Sequence, residues 1–159
     1  MRTSWLALVL ALAGCTTSSP LALRNVVLYR SGMGYFERTG RLKEDRLKLA
    51  LRRHEVDDVL KTLAVLSRDG DTAVGAVAAL SPRGTSGDVD LELTLSRRGE
   101  VSLSYAVPAP SWRSTYKLVL DDKEGALLQS WAIVDNVSDE DWRDVHLTLT
   151  TGAPFSFVV

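Results

Sequence analysis

The sequence predicts a mostly β, α+β fold: antiparallel, sandwich-like strands with one amphipathic helix at about residues 54–67, behind a lipoprotein signal peptide. Three observations predict it. Apolar and polar residues alternate at period two in several stretches between Leu47 and Thr151, the period that puts one strand face on a core and the other in water. One stretch alone switches to the helical period. Short Gly-, Pro- and Asp-rich segments separate the alternating runs, as turns do between antiparallel strands.

The leader comes first. Met1-Arg2-Thr3-Ser4 carries one positive side chain, and Trp5 to Leu12 is an apolar run too short to span a bilayer. It ends in Leu12-Ala13-Gly14-Cys15, which resembles a lipobox: a branched apolar residue, two small residues that fit a narrow peptidase site, then the cysteine whose thiol receives diacylglycerol. Residues 1–14 are therefore expected to be a signal peptide. Cys15 is the only cysteine in the chain, which excludes a disulfide framework and suits a lipid acceptor. Several acyl chains on that residue, at roughly 0.8 kcal/mol per buried CH₂, would be a firm anchor. Thr16 stands at the second position rather than Asp, and under the usual sorting pattern this favours the outer membrane of the cell envelope. Residues 15–22 complete the lipidated cysteine and a small, polar tether.

An N-terminal β-rich α+β module is expected over 23–107. Val26 to Arg30 reads as a strand, Ser31-Gly32-Met33-Gly34 as a turn or bulge, and Tyr35 to Thr39 as the returning strand. Leu47, Leu49 and Leu51 then alternate with Lys48, Ala50 and Arg52. From His54 to Ser67, Val56, Val59, Leu60, Leu63 and Leu66 fall at helical spacing, with Glu55, Asp57 and Asp58 in the first turn, where they complement the exposed amides. Gly70 is placed to stop this helix, with Arg68 near its end. Ala73 to Val77 reads as a small-residue strand and Ser81 to Gly87 as a loop. Val89, Leu91, Leu93 and Leu95 alternate with Asp90, Glu92 and Thr94, and Arg97-Arg98-Gly99 turns the chain into Val101, Leu103, Tyr105 and Val107, expected to form the return strand of a hairpin.

Pro108-Ala109-Pro110 breaks the ladder, because neither proline can donate to it. A sandwich-like module is expected over 108–159. Tyr116 to Leu120 and Ala126 to Val134 flank the turn Asp121 to Gly125, and Val145 to Thr151 alternates again. The chain stops inside Phe155-Ser156-Phe157-Val158-Val159, an apolar strand-grade segment, so this module is expected to be incomplete at its C-terminus.

Composition bounds the function classes. With 19 basic and 20 acidic residues and a net charge of −1, no long-range field steers phosphates toward the chain, so nucleic acid is not an expected partner. The lipid on Cys15 is the expected membrane attachment.

Pro108-Ala109-Pro110-Ser111-Trp112-Arg113-Ser114-Thr115-Tyr116-Lys117-Leu118 resembles the entry motif of the family named domain of unknown function 4139, related to the mucoidy-inhibitor-like proteins. Ala132 to Val145 and Leu147 to Pro154 resemble that family's second motif, and Val27 to Phe36 is similar to the opening of its envelope members. The resemblance implies a β-rich envelope protein, in a short or truncated form. It brings no established activity, cofactor or catalytic residue.

Candidate sites are few. Asp135, Asn136, Asp139, Glu140 and Asp141 set five oxygen-bearing side chains in seven positions, and hard cations take six to eight oxygens. Asp135, Asn136, Asp139 and Asp141 are thus the candidate metal ligands, though the spacing is not that of an EF-hand loop and also suits a plain turn. Trp112-Arg113 and Trp142-Arg143 repeat one dipeptide beside different strands. A ring with a guanidinium nearby suits a protein or glycan partner, and it equally suits corner residues capping a core. His54 and His146 lack neighbouring ligands or triad partners. No catalytic residue and no cofactor is expected. The expected function is a lipid-anchored binding or scaffolding module; the alternative is a cation-dependent envelope hydrolase using the loop 135–141.

Overall fold

The computed structural model describes residues 20–67, 74–83, 87–96, 98–121 and 125–152. The expected signal peptide, Cys15, most of the tether, Arg68 and Gly70 at the expected helix end, residues 122–124 of an expected turn and the terminal Phe155 to Val159 lie outside the described residues.

Among the described residues ten strands and one α-helix follow in order: β1 (Ala22–Tyr29), β2 (Met33–Leu42), β3 (Arg46–Leu51), a 3₁₀ turn (Arg53–Glu55), α1 (Val56–Thr62), β4 (Ala64–Ser67), β5 (Val74–Arg83), β6 (Asp88–Leu95), β7 (Gly99–Pro108), β8 (Arg113–Asp121), β9 (Gly125–Ile133) and β10 (His146–Thr150). They form a five-stranded sheet ordered β10-β1-β2-β7-β4, a three-stranded sheet ordered β3-β6-β5, and a two-stranded ribbon β8-β9.

The first two sheets share one hydrophobic core. Alternation decides which residues enter it. Leu47, Leu49 and Leu51 of β3 and Val89, Leu91, Leu93 and Leu95 of β6 line one wall; Val26 and Leu28 of β1, Phe36 of β2 and Val101, Leu103, Tyr105 and Val107 of β7 line the other. Each fully buried leucine contributes about 1.5–3 kcal/mol of transfer free energy, so this double wall supplies the main stabilisation.

The turn between β1 and β2 needs Gly32, whose φ of +86° lies in the left-handed region and whose N–H donates to the Tyr29 carbonyl at 3.1 Å. Two places down β2, an added Cβ at Gly34 would lie 2.8 Å from the Phe36 ring and 2.9 Å from Ala109 Cβ. That glycine lets the chain after β7 pass close by.

Four expectations are corrected. The helix does not run to Ser67: α1 ends at Thr62, Leu63 N–H donates to the Val59 carbonyl at 2.7 Å, and Ala64–Ser67 becomes β4, paired with Ser104 to Val101 of β7. The free edge of β7 offers these residues a ladder that a longer helix would forgo, and Val65 replaces Leu66 as the buried side chain. Tertiary pairing outweighs helical period here. The strands 88–95 and 99–108 do not form a hairpin together. β6 pairs with β3 and β5, β7 pairs with β2 and β4, and the segment between β6 and β7 connects the two sheets. Placed in opposing sheets, the two strands interdigitate their apolar faces across the core. Strand β5 extends through Ser81 and Pro82 to Arg83, into the expected loop, by pairing with Asp88 to Asp90 of β6.

The fourth concerns β10, which is not antiparallel to its neighbour: it lies parallel to β1, from Asn25↔His146 to Tyr29↔Thr150. The crossover of 134–145 lets the chain return to this edge in the same direction as β1. Beyond Pro108, where a module boundary was expected, the chain thus comes back to complete the first sheet.

Candidate functional site

Two features stand out beyond the core: a loop clamped over one end of the sandwich, and a ribbon whose apolar side chains face solvent.

The clamp starts from an arginine on the wrong parity. Inward positions of β2 are Gly34, Phe36, Arg38 and Leu42, so Arg38 points into the interior and is only 7% exposed. A buried guanidinium requires partners. Two nitrogens of Arg38 contact the Tyr105 hydroxyl at 3.4 Å, and Nη1 and Nη2 grip the two carboxylate oxygens of Glu140, with Nη1 donating to Oε2 at 3.1 Å. Burial by itself lowers the Arg38 pKa, but the Glu140 hydrogen bond and the Tyr105 and Glu140 charges together hold it above the ordinary arginine value. Burial raises the Tyr105 pKa, and the opposing effect of Arg38 does not cancel the rise.

A second arginine, Arg52 after β3, holds the same loop. Its Nη2 donates to Asp139 Oδ1 at 2.9 Å and also to the Val137 carbonyl. The hydrogen bond and charge of Asp139 raise the Arg52 pKa despite slight desolvation. Internally, Asn136 shapes the turn: its Oδ1 accepts from the Ser138 N–H at 3.0 Å and its Nδ2 donates to the Glu140 carbonyl at 2.9 Å. Trp142 closes it, donating from Nε1 to Ser138 Oγ at 3.1 Å and setting its ring edge-on to Phe36, with centroids 6.3 Å apart. Phe36 in turn stacks on Tyr105 at 5.7 Å. Between loop and sheet lie two cavities of about 210 and 260 Å³ that share Phe36, Arg52, Glu55, Val107 and Ser138 as walls.

The candidate metal ligands are brought together only as a turn. Asp139 faces Arg52, Asp141 pairs with Arg143 at 2.7 Å, and Asn136 spends its amide on the loop backbone. Among the described residues, no group of three His, Cys, Asp or Glu side chains is placed to hold a metal ion. Trp112 and Trp142 both pack on the core, and Trp112 Nε1 donates to the Thr150 carbonyl at 3.1 Å, tying the start of β8 to the end of β10. Arg113 and Arg143 are exposed. His54 and His146 are exposed as well.

The ribbon is different. β8 and β9 pair from Arg113↔Ile133 to Asp121↔Gly125, with Gly125 at φ +87°. One face carries Tyr116, Leu118 and Leu120 on β8 and Leu128 on β9, exposed by 64%, 59%, 75% and 62%. The opposite face carries Val119, Leu127, Trp131 and Ile133, also exposed, among Arg113, Lys117 and Gln129. A two-stranded ribbon alone is marginal in water, and soluble monomers rarely expose apolar patches larger than a few hundred Å².

Residues 101–156 match the model of the family described as Domain of unknown function (DUF4139). The DUF4139 match covers most of β7, all of the ribbon, the clamped loop and β10, so it holds both features just described. No curated protein and no solved structure matches the chain.

Arg38, Arg52 and Tyr105 escape sequence reasoning as members of a site. A signal existed for one of them: Arg38 shares the parity of Phe36 and Leu42, so assigning faces to β2 would have placed its charge inside.

Proposed function

We propose that this chain is a lipid-anchored cell-envelope protein, a short DUF4139-related and mucoidy-inhibitor-like member, that acts by binding or scaffolding rather than by catalysis. The observation that carries the reading is the β8–β9 ribbon, which exposes large apolar side chains on both faces while its root is fixed to the sandwich through Trp112. Water charges roughly 25 cal/mol for each Å² of apolar surface left exposed, and a partner that covers the ribbon recovers that free energy. The loop that follows the ribbon, between β9 and β10, is held to the sandwich by Arg38 and Arg52. The lipobox residues Leu12 to Cys15 support the anchor, and Thr16 supports an outer-membrane address.

Two measurements test the two halves. Metabolic labelling with a fatty acid should mark the wild-type chain and leave Cys15→Ser unlabelled and released from the membrane fraction; an unlabelled wild type ends the anchor reading. Replacing Leu118 and Leu128 on one face and Leu127 and Trp131 on the other by Ser should reduce the set of envelope components recovered by photo-crosslinking from the ribbon, with the unfolding midpoint unchanged. An unaltered set ends the binding reading.

A further inference from the structure

We infer that the face of the ribbon bearing Tyr116, Leu118, Leu120 and Leu128 is covered by the same face of a second copy of this chain, the two ribbons packed face to face and running in the same direction from their sandwich bodies. This deepens the binding reading by naming the partner for one face.

Charge permits it. The residues of this face, Ser114, Tyr116, Leu118 and Leu120 on β8 and Ala126, Leu128, Ser130 and Ala132 on β9, include no ionisable group other than the tyrosine hydroxyl. Two copies can therefore meet without opposing or burying a charge, which the other face, with Arg113 and Lys117, cannot do at no cost.

Area permits it too. The four large side chains leave roughly 500 Å² in water, at the upper end of what a soluble monomer shows, and covering two such faces removes roughly 1,000 Å² or more, where specific interfaces begin.

Shape then selects the geometry. Across the ribbon the register sets Tyr116 beside Ser130, Leu118 beside Leu128 and Leu120 beside Ala126, so β8 is the bulky strand and β9 the slight one. A two-fold axis along the ribbon lays β8 of one copy over β9 of the other. Tyr116 then meets Ser130, Leu120 meets Ala126, and the leucine pair fills the middle, at the ordinary sheet-to-sheet spacing of about 10 Å. An axis across the ribbon would stack bulky strand on bulky strand and leave the slight strands apart. The favoured axis also puts both sandwich bodies at the same end, as two chains held on one bilayer require.

The test places benzoylphenylalanine at position 118 of the full chain in its host membrane and irradiates it. The expected product has twice the chain mass, joins position 118 to the 126–130 segment of the second copy, and carries both tags when two differently tagged copies are co-expressed. The same probe at Gln129, on the other face, should give no self-adduct. Leu128→Glu should reduce the product at least tenfold while leaving the unfolding midpoint within a few degrees, since that side chain is exposed in the single chain.

An adduct only to a different protein overturns the second copy and leaves the binding reading standing. An adduct only to residues 153–159 of the same chain overturns the second copy as well. Absence of any adduct from position 118, together with none from a probe at Trp131 on the opposite face, overturns both.

Discussion

Glu140→Ala should destabilise the protein more than Arg38→Met, although both remove the same ion pair. The asymmetry follows from burial: the Arg38 side chain is 9% exposed and that of Glu140 is 39%. Removing Glu140 strands a cation inside the sandwich with only the Tyr105 hydroxyl for company. Breaking a buried pair from one side costs about 3–5 kcal/mol when the remaining charge has no access to water. The neighbouring cavity of about 210 Å³ lets some water reach Arg38, which brings the expected cost to roughly 2–3 kcal/mol.

Removing Arg38 leaves a carboxylate that water already reaches, and methionine refills much of the space, so the expected cost is about 1 kcal/mol, near that of an exposed pair. The double variant should lie close to Arg38→Met alone, because Glu140 has little to offer once the cation is gone. Thermal unfolding followed by far-ultraviolet circular dichroism reads all three, and a change of 2–3 kcal/mol corresponds to a midpoint shift of roughly 4–12 °C in a domain of this size. If Arg38→Met proves the more damaging change, the interior placement of the guanidinium is wrong.

Other measurements probe separate parts of the structure. Since burial raises the Tyr105 pKa in the folded chain, its contribution to stability is complete below the ordinary tyrosine value, about 10, and fades as pH climbs through the higher folded value. Wild-type stability should therefore fall above that pH more steeply than that of Tyr105→Phe, and parallel alkaline profiles would contradict the assignment. Gly34→Ala should cost about 1–3 kcal/mol, because its new Cβ meets Phe36 and Ala109 at less than 3 Å; thermal denaturation suffices, and a neutral result would show that the segment after β7 can move away. Thr62→Val should cost about 1 kcal/mol, because the Thr62 hydroxyl accepts the Ala106 N–H at 2.9 Å and prolongs the β4–β7 pairing beyond the start of β4. Faster amide exchange at Ala106 in that variant is the direct readout, and unchanged exchange would deny the hydroxyl its part.

Much of the fold was legible in the chain. Period-two runs at Leu47 to Leu51, Val89 to Leu95 and Val101 to Val107 told correctly which side chains enter the core, because a strand's two faces are fixed by sequence parity alone. The β8–β9 ribbon was also legible, its two apolar runs separated by a short, charged stretch of sequence after Leu120. The candidate site was far less so. Asn136 as a turn former follows from its own short side chain, but nothing local announces that Glu140 meets Arg38, which lies 102 positions away, or that Asp139 meets Arg52, 87 positions away.

Local chemistry thus determined most of the described strands, the buried faces of the core strands, the start of the helical segment and the uncharged face of the ribbon. Tertiary structure alone decided the pairings: β6 and β7 in opposing sheets, β4 in place of a fourth helical turn, β10 parallel to β1, and an interior arginine matched to a distant carboxylate. The reason is the range of the forces involved. Parity and period act between neighbours along the chain, whereas a ladder partner or a counter-ion is chosen by whatever the finished fold brings within about 3 Å, and the sequence does not encode that distance at any one position.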